Sequence, residues 1–295
     1  MPLDAATMRA VRRALLRWHR THGLRAPWRE SGDPYQALVA AVMAQQTQMS
    51  RVMQCYARFI ATFPTIDALA SATPAAVIRA WEGMGYNQRA VRLHRAARAI
   101  VADGWPRTAA GLARLDGVGP FTAAIVASFA FGQPAACVDT NVRRVLGRVA
   151  GDEQMPAGVL QQLADAWVSH THPARWNQAV MDYGAQVCTP RPRCDACVVA
   201  RWCASRGHFA AGTPRPARRR FARTRFEGSD RYYRGRIIDL LRAAPHGRAL
   251  RPRAIARRLR LPTDGAGADM RLARWLEQLA REGLVVVTPR GVTLP

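Results

Sequence analysis

The chain of 295 residues contains no lysine. Arginine alone carries its basic character, against only 20 Asp and Glu, and the formal net charge is +24. A field of that sign and size points to a polyanion, above all a nucleic acid. An anionic membrane surface is the rival reading, and a merely solvated arginine-rich surface is the bland one. Long apolar runs are also lacking. Stretches such as Ala37 to Ala44 fall far short of the roughly 18 residues that a membrane helix requires. The first residues, MPLDAATMRAVRRALLRWHR, spread arginine through their length and read as an amphipathic helix, not a secretion signal. A cytoplasmic, nucleoid-associated protein in a reducing compartment is expected. Its six cysteines are then not a disulfide framework. Strand signals are nearly absent, so the body is expected to be all-α.

Residues 4 to 20 carry helical periodicity. After a loop with Pro27 and Gly32, Asp33-Pro34 opens a second helix, with Asp at the N-cap and Pro at the first helical position. Periodicity runs on to about residue 104, broken at Phe63-Pro64, Thr73-Pro74 and Gly83-Met84-Gly85. Residues 108 to 131 read as two helices around Gly117-Val118-Gly119, and more helices follow to about 187. Composition shifts near 205, where TPRPARRRFARTRF reads as a basic linker or arm. Beyond it, three helices and a terminal strand pair around Pro289-Arg290-Gly291 suggest a small winged-helix-like α+β domain.

Cys188, Cys194, Cys197 and Cys203 form C-x5-C-x2-C-x5-C. Four thiolates so close in sequence can converge on one centre, and soft sulfur ligands select zinc or an iron–sulfur cluster. Spacing alone leaves both open. Cys55 and Cys137 lie far away and read as ordinary buried thiols.

Leu115-Asp116-Gly117-Val118-Gly119-Pro120 is the second strong pattern. A Gly-x-Gly turn between helices offers backbone N–H groups at a helix N-terminus, which suits a DNA phosphate. Twenty residues beyond Gly119 stands Val138-Asp139-Thr140-Asn141. By itself an Asp just before a helix is an N-cap.

Taken together, the Gly-x-Gly turn, the Asp and the four cysteines resemble the helix-hairpin-helix (HhH-GPD) DNA glycosylase superfamily, in its iron–sulfur branch. The MutY-type adenine glycosylases are the nearest resemblance, over about residues 25 to 205. Pro27-Trp28-Arg29, Gln45-Gln46-Thr47-Gln48, Trp81-Glu82-Gly83-Met84-Gly85-Tyr86, Arg143-Arg144-Val145-Leu146 and Met181-Asp182-Tyr183-Gly184-Ala185 all look like that family.

The resemblance implies a two-domain helical core. Expected boundaries are 1–27 for an N-terminal helix packing with the cluster domain and 28–134 for a helical barrel with the helix-hairpin-helix. Then come 135–205 for the cluster domain, 206–230 for the linker and 231–295 for the winged-helix-like domain. It implies a [4Fe–4S] cluster on Cys188, Cys194, Cys197 and Cys203, with zinc as the alternative. Its partner would be duplex DNA holding a mispaired or damaged base, bound by a monomer. The nucleotide would be flipped from the stack. Gln45, Gln46, Thr47, Tyr86, Gly117, Val118, Gly119 and Asn141 would touch DNA. Trp28, Arg29, Ala41, Phe121 and Asp182 would form the base pocket. Asp139 would stabilise positive charge on the sugar.

Four departures qualify the resemblance. Strand-nicking members carry a lysine where this chain has Phe121, so a monofunctional enzyme is expected. MutY-type enzymes carry a glutamate, which protonates the departing adenine, where this chain has Ala41. The first cysteine gap is one residue shorter than the family's. The tail is too short, and too differently patterned, for the larger domain that reads 8-oxoguanine in long members. The expected function is removal of adenine opposite 8-oxoguanine or guanine. The alternatives are a uracil/thymine mismatch glycosylase and a lesion-binding protein without catalysis.

Overall fold

The computed structural model describes residues 4–209, 226–245, 247–261 and 266–295. Most of the expected basic linker, 210–225, lies outside the described residues. The first helices are α1 (Ala5–His22), α2 (Pro27–Glu30), α3 (Pro34–Ala44), α4 (Met49–Thr62), α5 (Ile66–Ser71), α6 (Pro74–Ala80) and α7 (Gln88–Asp103). Next come α8 (Ala109–Leu112), α9 (Pro120–Phe131), α10 (Thr140–Ala150), α11 (Ala157–Trp167) and α12 (Pro173–Gln186). The C-terminal segment holds α13 (Asp230–Ala243), α14 (Pro252–Arg258), α15 (Ala266–Arg281), β1 (Val286–Thr288) and β2 (Gly291–Thr293). The expected helical body is therefore present, and its punctuation is local. Asp4 caps α1 by accepting from Thr7 N at 2.8 Å, and Asp33 accepts from Tyr35 N at 2.8 Å as α3 begins. Thr65, Thr73 and Thr108 cap α5, α6 and α8 in the same way. Among the described residues no helix is long and apolar enough to cross a membrane.

The chain divides into two compact units. The first comprises Met1–Ala41 and Trp105–Ala217. Its core gathers Leu15 of α1, Leu146 of α10, Trp167 of α11 and Tyr183 of α12. α10 and α12 cross so closely that a Cβ on Gly184 would lie 2.6 Å from Asn141 Cβ and 2.9 Å from its carbonyl oxygen. No other residue fits that crossing without displacing backbone.

A buried carboxylate ties the start of the chain to α12. Asp182 accepts two bonds from Arg29, at 2.7 and 3.0 Å, and one from Leu24 N at 2.8 Å. His19 Nε2 lies 3.2 Å from the same carboxylate. The Arg29 and Asp182 side chains are only 7% and 8% exposed.

The second unit comprises Val42–Gly104 and Arg218–Pro295. Here α5 and α6 pack on α7. Ile78 and Val91 share one core with Ile237, Leu241, Trp275 and Leu279, so the C-terminal segment is not a loose appendage of this unit. Arg242 donates to Ile78 O at 3.0 Å and to Asn87 Oδ1 at 2.8 Å, and Ala75 N donates to Pro295 O at 2.9 Å. β1 and β2 pair antiparallel with Val287 opposite Val292, and Leu250 adds a bridge to Val292. The three helices and hairpin expected from the sequence are present as elements.

Removing one partner from a buried ion pair strands the other charge, at a cost of about 3–5 kcal/mol. Asp182→Asn should therefore lower the thermal midpoint by several degrees at neutral pH. Burial alone would raise the Asp182 pKa, but His19 and Arg29 outweigh it and hold it below the ordinary carboxylate range. This stabilisation is complete above the unfolded-state value and fades as pH falls through the folded-state value. The gap in midpoint between wild type and Asp182→Asn should thus be constant near neutrality and close in acid. A gap that widens as pH falls would contradict the assignment. Gly184→Ala should also destabilise, through the backbone clash with Asn141.

Candidate active site

In the second unit two loops carry unusual backbone. Gln46 and Tyr86 adopt φ of 53° and 43°, left-handed values rare for residues other than glycine. Such strain persists only where the surroundings over-determine it, and it clusters at working sites. The determinant is Arg89. Its buried guanidinium donates to Val42 O, Met43 O and Gln45 O at the end of α3, and to Met84 O and Gly85 O in the second loop. It also lies 5.4 Å from the Trp81 ring centroid and 5.5 Å from that of Tyr86. Burial lowers its pKa to about 10, so it is still charged at neutral pH. Arg89 thus locks both loops into one rim. Gln46 and Tyr86 are exposed on it, while Thr47 Oγ1 donates to Gln45 O at 3.2 Å.

In the first unit α8 and α9 form the two arms around Gly117-Val118-Gly119. Gly117 has φ 76°, as the tight turn requires, and Val118 is buried beneath it. Gly119 is exposed, stands at the N-cap of α9 and makes no side-chain cap. Pro120 follows at the first helical position. A twelve-residue helix therefore opens toward solvent with its positive dipole end.

Asp139 caps α10. Its Oδ1 accepts from Asn141 N at 2.9 Å and Val142 N at 2.7 Å, and its Oδ2 accepts from Asn141 Nδ2 at 2.8 Å. A carboxylate can accept about four such bonds, so the cap leaves Oδ2 room for another partner. The residue is half-buried. Asn141 is fixed in turn, because Arg144 Nη2 donates to its Oδ1 at 2.7 Å.

Ala41 is buried in an apolar cluster with Ala124, Ile125 and Cys137, against which Phe121 and Met181 pack. The carboxylates of Asp139 and Asp165 lie near enough to act on its Cys137. Burial pushes the Cys137 thiol up to about 12, so it stays neutral. Trp28 is buried as well. Arg29 and Asp182, matched in sequence to the base pocket, are committed to each other in the ion pair above.

The cysteines sit where α12 ends. Arg144 Nε donates to Cys188 O at 2.5 Å, and Arg148 Nη1 donates to Thr189 O at 2.7 Å and approaches Cys188 Sγ at 3.6 Å. Tyr183 Oη donates to Cys197 Sγ at 3.1 Å. Burial raises the Cys203 pKa to about 11, and the nearby charges of Cys188, Cys197 and Cys194 push it the same way. Cys188, Cys197 and Cys203 pack against the same core of this unit. As they stand, no three or more His, Cys, Asp or Glu side chains among the described residues close around a metal centre.

Sequence reasoning gave no role to Arg89, Arg144 or Arg148. Each acts by donating to backbone carbonyls, and motif spacing carries no record of such contacts. The available signals are the family-like stretches that contain Arg89, in Gly85-Tyr86-Asn87-Gln88-Arg89-Ala90, and Arg144, in Arg143-Arg144-Val145-Leu146.

Residues 39–169 match the family described as HhH-GPD superfamily base excision DNA repair protein. The adenine DNA glycosylase of Mycobacterium tuberculosis is 41% identical over 241 residues, covering 78% of this chain and 78% of that protein. A thermostable thymine-DNA glycosylase structure aligns with TM-score 0.65 and 28% identity, over 69% of this chain and 99% of the other. A non-covalent endonuclease III–DNA complex aligns with TM-score 0.60 and 20% identity, over 70% of this chain and 97% of the other, a likeness of fold. The chain belongs to the adenine DNA glycosylases, DNA N-glycosylases of the HhH-GPD superfamily of base excision repair proteins.

Proposed function

We propose that the protein removes adenine mispaired with 8-oxoguanine or guanine and leaves the DNA strand uncut. The observation that carries the choice of base is the 41% identity to an adenine DNA glycosylase across most of both chains. The Gly117-Val118-Gly119 turn and the open end of α9 hold a backbone phosphate. The rim of Gln46 and Tyr86 enters the gap left by the extruded nucleotide. Its rigidity, set by Arg89, favours that reading.

The reaction breaks the N-glycosidic bond. The base leaves with the bonding electron pair and takes up a proton, while water adds to the sugar C1′ and loses one. Positive charge grows on the sugar as the bond stretches. Asp139, pinned by Asn141 and Val142, presents a fixed negative charge through Oδ2, which needs no reorganisation when that charge appears. The same carboxylate serves as cap and as electrostatic catalyst. Its capping bonds keep it oriented.

The absence of lysine removes any ε-amine that could form a Schiff base with the sugar. Phe121 occupies the place where strand-nicking relatives carry that amine. Borohydride reduction during turnover should trap no protein–DNA adduct, and a trapped adduct would refute monofunctional action.

One assay tests the reading as a whole. Duplexes holding A:8-oxoguanine, A:G, U:G or T:G are incubated with the protein and then treated with alkali. Breaks at adenine are expected. Breaks only at uracil or thymine, or tight lesion binding without breaks, would replace the proposal. Asp139→Asn should abolish breaks and keep binding, because its amide can still meet the cap.

Ala41 predicts a slow enzyme. General-acid help is worth about 10²–10⁴-fold, and an alanine side chain supplies none. Burial there would keep an introduced carboxyl protonated near neutrality. Ala41→Glu should therefore raise the single-turnover rate on adenine, by about tenfold or more. An unchanged rate would mean that the leaving base already receives its proton from elsewhere.

Cys188, Cys194, Cys197 and Cys203 hold a [4Fe–4S] cluster in this reading, with Arg144 and Arg148 fixing the loop that presents Cys188. Bound, the cluster supplies a structural anchor for that loop. Iron and sulfide should be found in the isolated protein at cluster stoichiometry. Zinc in their place would overturn the assignment.

A further inference from the structure

We propose that Arg231, in the C-terminal segment, is a positioning residue for Tyr86, so that this segment is a working part of the strand-opening apparatus. The inference rests on the wedge role given to Tyr86 above. Arg231 Nη1 donates to Tyr86 Oη at 2.9 Å. Its guanidinium lies 5.5 Å from the Tyr86 ring centroid and 4.8 Å from that of Phe226. No carboxylate pairs with Arg231 among the described residues. The neighbouring Asp230 is taken by Arg274 at 2.8 Å. The contact therefore has no competing acid to satisfy it.

The place from which Arg231 reaches out is rigid. It stands in the first turn of α13, which Ser229 caps by accepting from Tyr232 N at 3.3 Å. Farther along, Ile237 and Leu241 are buried in one core with Ile78 and Val91. Arg242 holds Asn87, the residue beside Tyr86, at 2.8 Å. The base of α13 and the loop that carries Tyr86 thus move as one body within this unit. A groove of about 810 Å³ runs between them, lined by Gln46, Tyr86, Arg92, Phe226 and Arg231 among others.

Tyr86 needs such support. It is 46% exposed and sits on left-handed backbone. An exposed ring samples several rotamers, and fixing it at the moment of insertion costs conformational entropy. Arg89 lies under the ring, and Arg231 holds the phenol oxygen. The effect falls on opening the duplex and not on bond cleavage, because the proposed reaction gives the wedge no part in stabilising charge on the sugar. A charged hydrogen bond with a cation–π contact at an exposed site is worth about fivefold.

The test uses the full-length protein and duplexes with 2-aminopurine stacked beside the target adenine in an A:G pair. The readouts are the rise in 2-aminopurine fluorescence, the ratio of affinities for mispaired and matched duplex, and the single-turnover rate at saturation. Tyr86→Ala should suppress the fluorescence rise. Arg231→Ala should lower the affinity ratio about fivefold, with the saturating rate and thermal midpoint unchanged. In the Tyr86→Ala background it should have no further effect. Arg231→Lys should keep most of the defect, because an ammonium lacks the planar fork that spans both rings.

Additive losses in the double variant would overturn the inference. So would equal weakening on matched and mispaired duplexes with a shallower salt dependence, the mark of a direct phosphate contact. If Tyr86→Ala leaves the fluorescence rise intact, the wedge reading itself fails and this inference with it. If Tyr86→Ala matters and Arg231→Ala does not, only the role of Arg231 falls.

Discussion

A carboxylate removed from water must be met by donors or it destabilises the fold, and Asp182 is met by three segments at once. His19 at the end of α1, Leu24 in the following loop and Arg29 in α2 all converge on it. The start of the chain is therefore fastened to α12, more than 150 residues away, by one buried charge. The second unit uses the same constraint with the opposite sign. There Arg89 is buried without a carboxylate and takes carbonyl oxygens from two loops. Each unit has a buried charge at a place where separate segments must keep a fixed relation.

That economy links the fold to the chemistry. Carbonyls that accept from Arg89 belong to the loops bearing Gln46 and Tyr86, so the guanidinium sets the shape of the rim. Carbonyls that accept from Arg144 and Arg148 belong to the loop bearing Cys188. Asn141 joins these parts. It donates to Asp139, accepts from Arg144 and packs its Cβ where Gly184 makes room. The carboxylate assigned to the sugar and the loop assigned to the cluster are therefore braced by the same few residues of α10 and α12.

Ala41 is the position on which the proposed chemistry turns. It packs with apolar neighbours, among them Phe121 and the neutral Cys137 thiol. In the proposed reaction Ala41 itself gives the departing base no proton. The first helix of the C-terminal segment packs beside the rim, where Arg231 meets Tyr86 and Arg242 meets Asn87.

Much of this was legible in the sequence. Pro and capping residues at Asp33-Pro34, Thr73-Pro74 and Gly119-Pro120 act within one turn of chain, so they announced where helices begin. The same holds for the Gly117-Val118-Gly119 turn and for the Asp139 cap, whose donors lie two and three residues away. What sequence could not show was the pairing of distant charges. Arg29 and Asp182 stand far apart in sequence, and only the fold shows them joined as one ion pair. Arg89 received no role from the sequence, and the structure shows it buried between the end of α3 and the Tyr86 loop. Nothing local tells a buried guanidinium from a solvated one. Only the tertiary structure decides which of many equivalent arginines loses its water, and with it which ones hold the site in shape.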